Sequence, residues 1–130
     1  MKDRRVDSFP MDASSGLEFL VTEFGFDGPM TAETGYVGYV SGRWTIWAVL
    51  DERNKTVDTY VNLDVGANIL SASVWQLVRK AKLEGAGQPK TSAITRAGVQ
   101  KSLAAQARAL RSLLPLLVAE EGDGLMEKSA

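Results

Sequence analysis

The chain of 130 residues contains neither cysteine nor histidine. It therefore forms no disulfide bond and has no thiol nucleophile, no histidine general base and no zinc site built on sulfur or imidazole. Proline is scarce, with four residues. No segment approaches the roughly 20 consecutive apolar residues that a membrane-spanning helix needs. These absences exclude many of the common catalytic and metal-binding arrangements.

Carboxylates are the main acid–base groups that remain. Four of them lie near the predicted sheet, at Asp51, Glu52, Asp58 and Asp64. Asp51 and Glu52 are adjacent turn residues, and turns favour aspartate for backbone reasons alone. The sequence has no calcium-binding loop and no phosphate-binding glycine motif. We therefore predict a protein that is not an enzyme and that has no metal site and no cofactor.

Length and composition favour one domain. A chain of this size with 45% hydrophobic residues can bury one compact core and is too short for two ordinary domains. We expect a globular domain over residues 1–118, with residues 1–12 flexible, and an acidic flexible tail over residues 119–130. The N-terminal residues lack the unbroken apolar segment of an export signal, so we expect a cytoplasmic protein that does not bind membranes.

Residues 35–64 predict three consecutive antiparallel strands joined by two tight loops. A two-residue loop at Ser41-Gly42 would place Tyr36 opposite Trp47. A four-residue loop over residues 52–55 would place Trp47 opposite Tyr60. Shifting this second loop by one residue would bury an unpaired aspartate, which is costly, so the four-residue loop is preferred.

Alternation along these strands separates two faces. The outer face carries Tyr36, Trp47 and Tyr60, which we call the aromatic row. Tyrosine and tryptophan are enriched at the centres of protein interfaces, so the aromatic row predicts a partner-binding surface. The rings could instead serve only sheet stability or lie under a helix. The predicted core face carries Val37, Tyr39, Trp44, Ile46, Ala48, Leu50, Val57, Val61 and Leu63.

Helical patterns flank the predicted sheet on both sides. Ser15 and Glu18 have the spacing of a capping box and predict an amphipathic helix that ends before Gly25. Residues 27–29 predict a turn. Residues 65–68 turn the chain again, and Ser73 with Gln76 predicts the cap of a second helix.

A longer helix is predicted from about Ser92 to Leu114, and Pro115 should kink or end it. The glycine-rich segment 85–89 before it predicts a surface loop. Together these patterns indicate an α+β fold. We expect a short antiparallel sheet of three or more strands packed with an N-terminal helix and two C-terminal helices.

Charge is distributed unevenly along the chain. Residues 1–78 have six basic and eleven acidic residues, residues 79–111 have eight and one, and residues 112–130 have one and four. The basic segment could attract an acidic protein or a phosphate backbone, or it could be an ordinary solvated helix surface. The basic residues predicted to bind a partner are Arg79, Lys80, Arg96, Lys101 and Arg108.

A family resemblance is carried by three segments: residues 17–26 (LEFLVTEFGF), residues 39–42 (YVSG) and residues 49–53 (VLDER). They resemble small uncharacterised bacterial proteins, some of them similar to immunity proteins of polymorphic toxin systems. The resemblance covers about the first half of the chain and consists of hydrophobic patterns and turns. It implies a cytoplasmic protein that neutralises a toxin by binding to it.

Two hypotheses of function follow. The first is a non-catalytic protein-interaction module of the immunity or antitoxin type, with a protein partner at the aromatic row or the basic helices. The alternative is a nucleic-acid-associated regulator that uses the basic C-terminal helices. Against the alternative, the chain is slightly acidic overall, with a net charge of −1, and the aromatic and basic residues lie in different segments.

Overall fold

The computed structural model of the protein describes residues 4–31, 34–81 and 94–117. These residues form an α+β fold, as the sequence predicts. The five strands make one antiparallel sheet in the order β1-β2-β3-β4-β5. Within the described residues, no helix is long and apolar enough to cross a membrane. The elements are α1 (Arg4–Gly16), α2 (Glu18–Thr22), β1 (Asp27–Met30), β2 (Tyr36–Ser41), β3 (Trp44–Asp51), β4 (Thr56–Asp64), β5 (Ile69–Ser73), α3 (Val74–Ala81) and α4 (Arg96–Leu117).

One face of the sheet is covered by α1, α3 and α4, and the core lies between these helices and the strands. The predicted core face is confirmed, because eight of its nine residues are buried. The exception is Trp44, which is half-buried and packs against the edge of the core. Thr59 is buried on the same face, although it is polar.

The β2–β3 hairpin has a different register from the predicted one. Gly42 and Arg43 form its loop, so Tyr36 lies opposite Val49, and Trp47 lies opposite Gly38. Gly42 has a φ of 57°, and a glycine with positive φ at the first central position is what a type II′ turn requires. The shift is two residues, so each side chain keeps the predicted face.

The β3–β4 hairpin has the predicted register, with Trp47 opposite Tyr60. Its four-residue loop is closed by Asp51, whose carboxylate accepts hydrogen bonds from the backbone N–H of Asn54 at 3.1 Å and from its side-chain amide at 2.8 Å. This loop fixes which residues of β4 reach each face of the sheet.

The N-terminal region differs most from the sequence prediction. Residues 4–12, expected to be flexible, belong to α1, and Ser15 lies inside this helix rather than at its start. Phe9 and Ala13 are fully buried at helical spacing, and α1 packs along α4, so tertiary packing extends the helix. Residues 27–29, predicted as a turn, belong to the edge strand β1.

The segment after β4 contains both a missed strand and a confirmed cap. The turn at residues 65–68 is present, with the Val65 N–H donating to the carbonyl of Asn68 at 3.0 Å, but β5 was not predicted. The capping box of α3 is confirmed. The N–H of Ser73 donates to Gln76 Oε1 at 2.9 Å, and the N–H of Gln76 donates to Ser73 Oγ at 3.2 Å.

Helix α4 begins four residues later than predicted, because Thr95 caps it by accepting a hydrogen bond from the N–H of Gly98 at 3.0 Å. It continues two residues past Pro115. Gln106 is buried and joins α4 to the sheet by donating to the carbonyl of Val57 and accepting from the hydroxyl of Thr59, both at 2.7 Å. The predicted loop at residues 85–89 and the acidic tail lie outside the described residues.

Candidate functional site on the open face of the sheet

The second face of the sheet carries no helix in the described part of the chain, and we call it the open face. Its residues come from alternate positions of β2, β3, β4 and β5. They form a shallow cavity of about 560 Å³. The cavity is lined by Tyr36, Trp47, Val49, Asp51, Asp58, Tyr60, Asn62 and Ser71.

The aromatic row predicted from the sequence is present on this face. Trp47 and Tyr60 are direct cross-strand neighbours, whereas Tyr36 is diagonal to Trp47 because of the shifted register. The rings of Tyr36 and Trp47 meet edge to face, with centroids 6.3 Å apart and planes at 75°. All three rings line one cavity, and Tyr60 is 36% exposed.

Gly38 determines where the indole of Trp47 lies. A Cβ atom added at Gly38 would stand 2.5 Å from Cζ3 of Trp47, so the indole lies across the strand at the position where other residues carry a side chain. Because Gly38 has no side chain, the indole of Trp47 can lie close to the backbone of β2 and turn toward Tyr36.

The two carboxylates of the cavity differ in their surroundings. The pKa of Asp51 lies below its ordinary value because the backbone and side-chain N–H groups of Asn54 donate to it. Asp58 is half-buried, and burial together with the negative charge of Asp51 raises its pKa. In the described part of the chain, the Asp58 carboxylate has no hydrogen bond or ion pair.

Two other polar groups in the cavity are also withdrawn from water, at Asn62 and Tyr60. The Oδ1 atom of Asn62 is inaccessible to solvent and has no hydrogen-bond partner among the described residues. Burial raises the pKa of the Tyr60 hydroxyl, and the charge of Asp58 raises it further. Among the described residues, the cavity lining contains two carboxylates and no lysine or arginine, so its charged groups are all acidic.

Arg96, one of the predicted partner-binding residues, contacts another part of the fold. Its guanidinium donates through Nε and Nη2 to the two carboxylate oxygens of the buried Asp12, both at 3.2 Å. Gln100 donates to the same carboxylate at 3.1 Å. Burial raises the pKa of Asp12, but these hydrogen bonds and the charge of Arg96 outweigh it and hold the pKa below its ordinary value. The pair connects α1 to α4.

The other predicted basic residues are exposed and lie on the helices, away from the cavity. Lys101 and Arg108 are seven residues apart and therefore share one side of α4, two turns from each other. Arg79 and Lys80 lie in the last turn of α3, and the Arg79 guanidinium is 5.5 Å from the ring centre of Trp75. The structure thus groups the aromatic row in one site and separates it from the basic residues.

The cavity contains residues that the sequence analysis did not assign to a binding site. Asp58 and Asn62 share strand parity with Tyr60, so the alternating pattern already placed them on the open face. Ser71 was missed because β5 was not predicted. Within the described residues, no cluster of three or more acidic side chains has the arrangement of a metal site.

Fold alone does not assign a function, because unrelated functions recur on the same architecture. A functional assignment for this chain must therefore come from the geometry and chemistry of its own residues. No protein-family model, curated protein or solved structure matches the chain.

Proposed function

We propose that this protein is a non-catalytic interaction module that binds a protein partner through the open face. The observation that supports the proposal is the aromatic row, which surrounds a cavity on a sheet face that no described helix covers. Tyrosine and tryptophan provide much of the binding energy in protein interfaces because they bury a large area with few rotatable bonds.

The biological role that we propose is that of an immunity or antitoxin-type protein in the cytoplasm. Such a protein acts stoichiometrically, by occupying a toxin, and needs no catalytic group. The resemblance of residues 17–26, 39–42 and 49–53 to immunity-like proteins favours this role. Residues 39–42 and 49–53 include parts of β2 and β3, the strands that carry Tyr36 and Trp47.

A nucleic-acid-associated regulator is the second candidate, and the basic residues of α3 and α4 favour it. Two arginines of α4 already have acidic partners, since Arg96 pairs with Asp12 and Arg111 pairs with Glu23 at 2.6 Å. Paired arginines offer less positive charge to a phosphate backbone. This candidate therefore has weaker support than the open face.

Capture of a partner from the source cell separates the two candidates. Tagged wild-type protein is compared with Tyr60→Ala and with Leu116→Ala, a control on α4 whose exposure of 39% matches that of Tyr60. We expect a partner, identified by mass spectrometry, that survives high salt and nuclease and is lost with Tyr60→Ala only. Loss of all captured material after nuclease treatment would contradict the proposal and favour the nucleic-acid candidate.

A growth assay tests the immunity role separately. The captured partner is expressed alone, with the wild-type protein, and with Tyr60→Ala. We expect the partner to inhibit growth, wild-type protein to restore it, and the variant to fail. A partner that is harmless when expressed alone would leave the interaction module standing and show that the immunity role is wrong.

A further inference from the structure

The cavity of the open face contains a carboxylate that the fold itself does not neutralise. Asp58 is half-buried between Tyr60 and the end of the sheet, and no described residue pairs with it. A carboxylate withdrawn from water is stabilised only when a positive charge or hydrogen-bond donors face it. The nearby Asp51 adds a second negative charge at the same end of the cavity.

Aromatic rings surround this carboxylate on the neighbouring strands. Val49 lies directly opposite Asp58, and Tyr36 lies opposite Val49, so the acid faces an apolar and aromatic wall two strands wide. Trp47 and Tyr60 border the same wall. Ring faces attract cations, and the attraction increases when water is excluded. The combination of rings with an unpaired carboxylate is the chemistry of an organic-cation site.

We propose that the cavity receives the guanidinium group of an arginine side chain from a partner protein. The inference rests on the proposed function and deepens it by defining the partner's chemistry. Arginine fits better than lysine because its planar group stacks on rings and donates several hydrogen bonds at once. The negative cavity makes a partner with a basic surface the complementary one.

Asn62 defines the other end of the binding surface. It lies four residues from Asp58 on β4, which places the two Cα atoms about 13 Å apart and too far for one guanidinium to span. Its Oδ1 atom lacks a hydrogen-bond partner in the described structure but is shielded from solvent and therefore from a partner. Ser71 lies opposite Asn62 on β5 and is exposed, so its hydroxyl receives a second donor of the partner, such as a backbone N–H next to the inserted arginine.

The purified protein tests the site without a partner. The probe is Nα-acetyl-arginine-N-methylamide, and its control is the citrulline analogue, which has nearly the same shape but no charge. Binding is followed by NMR at the Trp47 indole and at the amides of β3 and β4. We expect saturable shifts with a dissociation constant in the millimolar range for arginine, and none localised to the open face for citrulline.

Matched aspartate variants identify the residue responsible. Asp58→Asn removes the charge and keeps the shape, whereas Asp27→Asn makes the same change on the exposed edge strand β1. We expect Asp58→Asn to weaken binding at least about tenfold and Asp27→Asn to leave it unchanged. In the wild type, saturation with the probe should lower the pKa of the Asp58 carboxyl. Equal binding of both probes, or full binding by Asp58→Asn, would overturn the proposal.

Self-association is the other occupant to consider, because α4 of a second copy offers exposed Lys101 and Arg108. Sedimentation velocity at the NMR concentration should show a monomer. A dimer that Asp58→Asn dissociates would assign the cavity to a second copy and overturn the inference.

The proposed function and the cation site can fail separately. Arginine binding that depends on Asp58, with a captured partner unaffected by Tyr60→Ala, would show that the cavity binds a guanidinium group but would reject the open face as the partner surface, and with it the proposed arginine of the partner. Loss of the captured partner with Tyr60→Ala, together with full partner binding by Asp58→Asn, would retain the proposed function and reject the arginine site.

Discussion

The two faces of the sheet are built from the same strands, yet the Thr59–Gln106 pair on one face and Asp58 on the other have different hydrogen-bonding environments. On the covered face, the hydroxyl of Thr59 and the side chain of Gln106 hydrogen-bond to each other and to the backbone. On the open face, the Asp58 carboxylate has no hydrogen bond or ion pair with the described residues, and Asn62 Oδ1 has no hydrogen-bond partner among them. Thr59 and Gln106 thus contribute to stability, whereas we propose that Asp58 contributes to binding.

The same contrast holds between Asp12, which is buried, and Asp58, which is half-buried. Asp12 receives three hydrogen bonds from Arg96 and Gln100, and its pKa is lowered. Asp58 receives none from described residues, and its pKa is raised by burial and by Asp51. The pKa shifts in opposite directions because the fold stabilises the charged form of Asp12 and disfavours the charged form of Asp58.

The two faces should differ most in how much the free energy of unfolding falls when an apolar side chain is replaced by alanine. Ile46→Ala removes a fully buried side chain from the covered face and should lower the free energy of unfolding by about 2–5 kcal/mol. Val49→Ala, three residues along the same strand but on the open face, should cost less than about 1 kcal/mol. Urea unfolding measures both. Equal losses would mean that the open face is covered as well.

Loss of the buried hydrogen bonds between Gln106, Thr59 and Val57 should lower the free energy of unfolding almost as much. Gln106→Ala leaves the hydroxyl of Thr59 and the carbonyl of Val57 without their partner, which should cost about 2 kcal/mol. The double variant Gln106→Leu with Thr59→Val should recover part of this loss, because it removes unpaired polar groups as well. No recovery in urea unfolding would show that the network contributes through packing alone.

The Asp12–Arg96 pair should make the free energy of unfolding depend on pH in the acidic range. Since the folded pKa of Asp12 lies below the unfolded value, its contribution is fully present above the unfolded pKa, near 3.8, and is lost as pH falls through the folded pKa. Asp12→Asn should therefore be less stable than wild type at pH 7, with a difference that shrinks toward pH 3. A difference independent of pH would contradict the charge-based account.

Asp58→Asn should change the free energy of unfolding least, and in the opposite direction to Asp12→Asn. Its raised folded pKa means that the folded state binds the proton more tightly, so its contribution is most favourable below the unfolded pKa and is lost as pH rises through the folded pKa. Asp58→Asn should thus be as stable as wild type or slightly more stable at pH 7, and the gain should vanish near pH 3. Destabilisation at pH 7 would indicate a structural partner for Asp58.

Local chemistry made much of the fold predictable. The Ser73–Gln76 cap, the loop closed by Asp51 and the two-residue alternation each depend on neighbours in sequence, and the structure contains them. The shifted β2–β3 register kept both faces because a two-residue shift preserves side-chain direction. This explains why the aromatic row was predicted even though the pairing of Tyr36 was wrong.

The missed features depend on contacts between distant segments. Helix α1 begins at Arg4, well before Ser15, because Phe9 and Ala13 pack in the shared core, where α1 lies against α4. Gln106 is polar and gave no apolar signal, and its role depends on Thr59, which is 47 residues away. The ion pair between Arg96 and Asp12 likewise cannot be predicted from a count of charges along the chain.

The most direct test of the open face is the footprint of the bound partner on this protein. Isotopically labelled protein is combined with the captured partner, and cross-saturation NMR identifies the amides that the partner covers. The account predicts a continuous footprint on β3 and β4 centred on Trp47 and Tyr60. A footprint centred on Lys101 and Arg108 of α4, with the open face unaffected, would contradict it.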